Sequence, residues 1–294
     1  MSVLLESVKY NLKLMMKQKT FLFVFLLMVL LSVMTPIYYV VKFYGEYSYK
    51  LPSADTLYIG NSATEVWGYL ALIFPFLIVL PYSLSFLNER KSGVFLYVQT
   101  RCDRRTYYYS QLLTCFIGTA LIFLIPFLLN VLLNAILFPV NGNDYISTYN
   151  VYDSNWENTI MGRGYYRETL FNGYIFKKIA VCNPQLYNIL FAVWLSVVSG
   201  IMGGFTYAVS LILRKNAITL FITNYLFFSI FSIIDRILEE GDFFNIYINT
   251  NLTDYLSNGH FNHGLAYPLY IIFIFCELVG SILIIKHQLK KDEV

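Results

Sequence analysis

Glu277 is the ionisable residue with the most unusual position in this 294-residue sequence. It lies between Cys276 and Leu278 in the middle of a long apolar run. A carboxyl group there is costly unless it is paired, faces a protein interior or stays protonated. Two interpretations remain open: a polar contact at a helix interface or along a transport route, or a hydrogen bond that only positions its helix.

The histidines and cysteines are weaker candidates for chemistry. His260 and His263 share an acidic stretch with Asp254 and could bind a metal, but a His-x-x-His pair in a polar loop is more often solvated. The 4 cysteines form no CxxC pair, so neither a zinc site nor a disulfide framework is predicted. We therefore expect no bound metal and no cofactor in this chain.

Motifs of enzymes are also missing from the sequence. No Gly is followed by Lys, so there is no phosphate loop for ATP, and the HExxH pattern of zinc proteases does not occur. An enzyme inside a membrane would need several polar groups that converge at depth, and we find Glu277 alone. The sequence predicts a protein that is not an enzyme.

The composition is that of a membrane protein. The chain is 57% hydrophobic and 13% charged, whereas soluble proteins are about half apolar and about a quarter charged. Its formal net charge of +3 is small and gives no indication of nucleic-acid binding. We predict an all-α membrane protein, because the apolar residues gather into runs long enough to cross a bilayer.

Six apolar runs, separated by polar stretches, define the predicted organisation. The predicted spans are residues 20–41, 66–87, 107–140, 188–213, 217–238 and 265–285. The remaining segments on the cytoplasmic side are an amphipathic interfacial helix at 1–19, a loop at 88–106, a short loop at 214–216 and a tail at 286–294. Those on the outer side are a polar loop between the first two spans and extracellular segments at 141–187 and 239–264.

The N-terminal segment carries Lys9, Lys13 and Lys17 at steps of four, which places the three lysines along one helical stripe. Apolar residues form an adjoining arc, as expected of a helix that lies in the headgroup plane. The alternative is a positive flank that only sets the orientation of the first span.

The distribution of Lys and Arg orients the spans with both termini in the cytoplasm. The outer segments hold Lys50, Arg163, Arg167, Lys177 and Lys178. The inner segments hold the larger set: Lys9, Lys13, Lys17, Lys19, Arg90, Lys91, Arg101, Arg104, Arg105, Arg214, Lys215, Lys286, Lys290 and Lys291.

Small residues recur on one face of the fourth predicted span. Ser196, Gly200 and Gly204 follow each other at steps of four, with Gly203 beside them. Such a face lets another helix approach closely, so we predict a packing surface. The pattern leaves open whether the partner belongs to the same chain or to a second copy.

The loop between the second and third predicted spans is the most informative segment. An acidic and a basic residue precede a glycine, a short apolar stretch and several arginines. In order, these residues are Glu89, Arg90, Gly93, Val94, Phe95, Leu96, Tyr97, Arg101, Arg104 and Arg105. The loop resembles the corresponding segment of permease subunits of type-2 ABC exporters. The alternative is a basic loop that only follows the positive-inside rule.

The resemblance implies a function and partners. In that family the short helix after the glycine docks on a cytoplasmic ATPase, and an Arg precedes the third span. The ATPase-coupling element would therefore consist of Glu89, Arg90, the stretch from Gly93 to Gln99, and Arg101, Arg104 and Arg105. ATP and Mg would be used by that ATPase and not by this chain. A second permease, identical or related, and membrane lipids would be the other partners.

The implied activity is export of a hydrophobic or amphipathic peptide, lipid or drug across a bacterial plasma membrane. An integral membrane enzyme and a standalone immunity or sensor protein without an ATPase remain alternatives. A secondary transporter is a further one, although the sequence has neither an internal repeat nor charges paired between its halves.

Overall fold

The structure is a computed structural model that describes residues 2–47, 51–60, 65–81, 103–140, 177–213, 218–223, 225 and 266–292. The regular secondary structure of these residues is helical, which agrees with the predicted all-α class. We label the helices α1 (Ser2–Met16), α2 (Lys19–Lys42), α3 (Glu65–Val79), α4 (Arg104–Leu137), α5 (Lys177–Cys182), α6 (Pro184–Ile212) and α7 (Ala266–Asp292).

Three helices of the described part of the chain, α2, α4 and α6, are long and apolar enough to cross a membrane. The 24 residues of α2 extend about 36 Å at the usual helical rise, against a hydrocarbon thickness of about 30 Å. This supports the prediction of a membrane protein with transmembrane helices.

The helices overlap the predicted spans but differ from them at their ends, most at the end of α3, which stops at Val79, and at the end of α7. The first span, predicted at 20–41, corresponds to α2, and the second and sixth overlap α3 and α7. The third and fourth coincide with most of α4 and α6. Most of the predicted fifth span, 217–238, lies outside the described residues, so the six-span arrangement stays a prediction.

The end of the predicted extracellular segment 141–187 is helical. Helix α5 is followed by Asn183, whose Oδ1 accepts a hydrogen bond from the backbone N–H of Leu186 at 3.0 Å. Pro184 then occupies the first turn of α6, where a missing N–H costs nothing. This capping signal starts α6 before the apolar run begins. Helix α7 likewise continues through most of the predicted tail 286–294.

Helix α4 is the centre of the helical packing, since α1, α2, α6 and α7 all contact it. Its contact with α6 is the most extensive between any two described helices. The core between them contains fully buried aromatic side chains, among them Phe123, Phe127, Phe191 and Tyr207.

Helix α1 packs against the first half of α4. Val8 and Met15 are buried, and Met15 lies directly against Gly118 of α4. Asn11 donates a hydrogen bond from Nδ2 to Ser110 Oγ at 3.2 Å. The opposite side carries the exposed lysine stripe and exposed Leu5. The segment is therefore an amphipathic helix attached to the bundle.

Residues 51–60 are the buried non-helical segment of the described chain. Ser53, Tyr58 and Ile59 are almost completely inaccessible to solvent, as are most of their neighbours in the segment. A non-helical backbone inside a membrane protein must have its N–H and C=O groups satisfied by other protein groups. The source of those hydrogen bonds is described below.

Candidate functional site

The predicted ATPase-coupling element is only partly described by the structure. Arg104 and Arg105 form the first turn of α4, after Asp103 at the N-cap position, and Arg105 is exposed. Glu89, Arg90, Gly93, the stretch to Tyr97 and Arg101 lie outside the described residues. The structure therefore describes only the end of the predicted element, at the start of α4.

The small-residue face of α6 packs on α4 of the same chain. A Cβ atom added to Gly200 would lie 2.7 Å from the backbone oxygen of Phe116, and one added to Gly203 would lie 2.5 Å from Thr119 Oγ1. Gly204 is less crowded, with Leu112 Cδ1 at 3.3 Å from the corresponding position. The hydroxyl of Ser196 is occupied by a bond to the Ala192 carbonyl oxygen at 2.6 Å. The backbones of α4 and α6 therefore approach each other closely at this face.

Glu277 is buried in the bundle. Its side chain is 1% exposed, and neither carboxyl oxygen has a hydrogen-bond partner among the described residues. Helix α7 packs mainly on α6, and Gly280, one turn after Glu277, approaches Phe205 of α6. Buried polar groups are normally paired, so this unpaired carboxyl group is either a cost to stability or a group kept for a function.

A cluster of three asparagines forms hydrogen bonds with three backbone groups of the buried segment 51–60. Asn130 Oδ1 accepts from the N–H of Ile59 at 2.9 Å. Asn134 Nδ2 donates to the carbonyl oxygen of Leu57 at 3.0 Å, and Asn188 Nδ2 donates to that of Asp55 at 3.0 Å. We call Asn130, Asn134 and Asn188 the asparagine cluster. It fixes the connection after α2 to both α4 and α6.

Asn130 has a second role, in α2. Its Nδ2 donates to the carbonyl oxygen of Ser32 at 2.8 Å. In a regular helix this oxygen would receive the N–H of the residue four positions later, but that residue is Pro36, which has none. Asn130 thus replaces the hydrogen bond that Pro36 removes, and it ties α2 to α4 at the same time.

The asparagine cluster was not predicted from the sequence. The signal was present, because Asn130 and Asn134 are polar residues spaced by four in an apolar run and therefore lie on one helix face. Polar side chains at such positions need partners. Their partners are backbone groups of distant segments, which residue types do not reveal.

Tyr58 joins the buried segment 51–60 to α4 through an aromatic contact. Its ring packs edge-on against Phe127, with centroids 6.2 Å apart and an interplanar angle of 73°. The hydroxyl group has no hydrogen-bond partner among the described residues. Burial of the side chain raises the pKa of the Tyr58 phenol.

Two cavities lie near the start of α4. The first is a groove of about 530 Å³ with an almost entirely apolar lining from α1, α4, α6 and α7. The second, of about 660 Å³, lies between the start of α4 and the end of α7 and contains Arg105, Lys286 and Lys290. Arg105 and Tyr109 line both cavities, so the two are adjacent.

His260 and His263 lie outside the described residues. The described residues contain no group of three or more His, Cys, Asp or Glu side chains that could hold a metal ion. Comparison with family models, with curated proteins and with solved structures gives no match for this chain. The resemblance of the basic loop to exporter permeases therefore stays a prediction.

Proposed function

We propose that this chain is the permease subunit of an ATP-driven exporter. It works with cytoplasmic ATPase subunits and a second permease, and it moves a hydrophobic or amphipathic substrate out of the cell. The proposal rests on the resemblance of the loop that begins at Glu89 and on the three apolar helices that are long enough to cross a membrane.

The observation that carries the proposal is the position of α4 in the bundle. The loop with the family resemblance runs directly into Arg104 at the start of α4. Helix α4 contacts α1, α2, α6 and α7, so a push on its first turn acts on most of the described helices at once. An exporter needs such a connection between its ATPase and its spans, because closure of the ATPases must rock helices between two states.

The interfacial helix supports the same mechanism. Helix α1 is attached to α4 through Asn11 and Met15, beside the start of α4. A displacement of the start of α4 therefore also moves a helix with an exposed basic stripe, which we expect at the membrane surface. No constellation of catalytic groups in the described part of the chain favours an enzyme over this interpretation.

Co-purification from the native host tests the proposal. We expect the affinity-tagged chain to bring down a protein that hydrolyses ATP. The double substitution Glu89→Ala with Arg90→Ala should lower the recovered ATPase activity about tenfold, the loss of about 1.4 kcal/mol of binding free energy, while membrane insertion is unchanged.

The matched control is Glu157→Ala with Arg163→Ala, an acidic and a basic residue from the predicted extracellular segment. This control should keep the recovered ATPase activity of the natural sequence. The proposal is wrong if the natural chain recovers no ATPase, or if the control pair and the loop pair lose the same activity.

A further inference from the structure

The apolar groove and the basic pocket are adjacent and differ in their chemistry. The groove is walled by apolar side chains that include Leu112, Phe116 and Leu278. The pocket that joins it at Arg105 and Tyr109 carries Arg105, Lys286, His287 and Lys290. A ligand that fills both must have an apolar part and an anionic part.

The positive charge of the basic pocket is not neutralised by acidic residues in its lining. No acidic side chain is found among the described residues that line either cavity. Arg105, Lys286 and Lys290 are exposed at the start of α4 and in the last turns of α7. Three cations around one pocket, without carboxylates, fit the phosphate oxygens of an anionic head group.

The groove and the basic pocket together match one leaflet of a bilayer in length. From Arg105 to Phe116 along α4, and from Lys290 to Leu278 along α7, the helical rise amounts to about 16–18 Å. Half of the hydrocarbon core is about 15 Å. The groove also opens sideways, because Leu278 and Ile282 are 42% and 40% exposed.

We propose that this site binds one anionic phospholipid of the leaflet that contains α1 and the C-terminus of α7. The head group lies between Arg105, Lys286 and Lys290, and an acyl chain lies along Leu112, Phe116 and Leu278. This inference goes beyond the proposed function and does not depend on an ATPase partner. It depends on the bundle being in a membrane, which the three apolar helices support.

Native mass spectrometry of the detergent-solubilised full chain tests the proposal. We expect one phosphatidylglycerol molecule to remain bound at a lipid concentration at which phosphatidylcholine does not, since the latter carries no net charge. Lys286→Ala with Lys290→Ala should weaken phosphatidylglycerol retention about thirtyfold, since two cations near an anionic head group contribute about 1 kcal/mol each.

The matched control for charge is Lys13→Ala with Lys291→Ala. It removes the same number of lysines from exposed positions on α1 and α7 that line neither cavity. We expect this control to retain phosphatidylglycerol as the natural sequence does. Equal losses in both pairs would overturn the proposal, because the effect would then be general attraction of anionic lipid.

A second pair of variants tests the apolar part. Leu278→Trp fills the groove and should lower phosphatidylglycerol retention severalfold, an effect of about 1 kcal/mol. Ile271→Trp, at an exposed position on the same helix outside the groove, should have no effect. The proposal is also overturned if inorganic phosphate displaces the lipid at equal concentration, or if phosphatidylcholine is retained equally well.

Discussion

Asn130 donates a hydrogen bond to the carbonyl oxygen of Ser32, the acceptor that Pro36 leaves without its helical partner. The Nδ2–O distance is 2.8 Å, and the same side chain accepts the N–H of Ile59 through its Oδ1. Asn130 of α4 therefore supplies the hydrogen bond that α2 lacks at Pro36, and it also holds the buried segment 51–60. This matters in a membrane protein, because lipid offers no replacement for a lost hydrogen bond.

We predict that Asn130→Leu lowers the free energy of unfolding by about 2–5 kcal/mol, because it leaves two buried backbone groups without a partner. Equilibrium unfolding in detergent micelles measures this loss. In the background of Pro36→Ala the loss should be smaller by about 1 kcal/mol or more, since the alanine backbone supplies an N–H for the Ser32 oxygen. Strictly additive losses would contradict the assigned role of Asn130.

The contact between α4 and α6 gives a second prediction. Gly200→Ala should lower the unfolding free energy by about 1–3 kcal/mol, because its Cβ would collide with the backbone oxygen of Phe116, which cannot move alone. Gly204→Ala is the control: its neighbour is the flexible Leu112 side chain at 3.3 Å, so we expect a change below about 1 kcal/mol. A larger loss of unfolding free energy for Gly204→Ala than for Gly200→Ala would refute the close approach at Gly200.

Glu277 gives a third prediction. Both carboxyl oxygens are buried without a described hydrogen-bond partner, so replacement by an apolar residue of similar size removes a cost. Glu277→Met should raise the unfolding free energy by about 1–3 kcal/mol. Exposed Glu6 serves as the control, and Glu6→Met should change little. Destabilisation of the protein by Glu277→Met would contradict this prediction.

The pH dependence of stability provides a fourth prediction. Burial raises the pKa of the Tyr58 phenol above its ordinary value of 10.0, so the folded protein keeps this proton when the unfolded chain has lost it. The contribution to stability is complete below pH 10 and is lost as the pH rises further. Tyr58→Phe should reduce the fall of unfolding free energy above pH 10 by up to about 1.4 kcal/mol per pH unit.

Tyr44, which is 88% exposed, provides the comparison for Tyr58. Tyr44→Phe should leave the dependence of the unfolding free energy on pH as it is in the natural sequence. Thermal unfolding between pH 9 and pH 11 distinguishes the two substitutions. Identical curves for both variants would mean that the Tyr58 hydroxyl is accessible to water.

The long helices could be predicted from the sequence. The first span was predicted at 20–41 and α2 extends from Lys19 to Lys42, because a run without charges bounded by lysines has few alternatives in a membrane. The beginning of α6 was predicted four residues too late. Its start is set by Asn183 and Pro184, which are helix-capping signals, and not by the first apolar residue.

The contacts inside the bundle could not be predicted in the same way. Spacing alone placed Ser196, Gly200 and Gly204 on one face, but α4 as the partner of that face follows only from the three-dimensional packing. The burial of residues 51–60 likewise follows only from the three-dimensional packing. A connecting segment usually lies at the surface, and here the amide groups of Asn130, Asn134 and Asn188 make burial possible.

The orientation of the loop that begins at Glu89 is the claim on which the proposed function depends most directly. Labelling of a single cysteine, Ser92→Cys, in a chain whose natural cysteines are replaced by serine, tests it with a membrane-impermeant maleimide. We predict labelling after permeabilisation only, while Ser154→Cys, in the predicted extracellular segment, is labelled in intact cells. Labelling of Ser92→Cys in intact cells would contradict the account, because a cytoplasmic ATPase could not reach that loop.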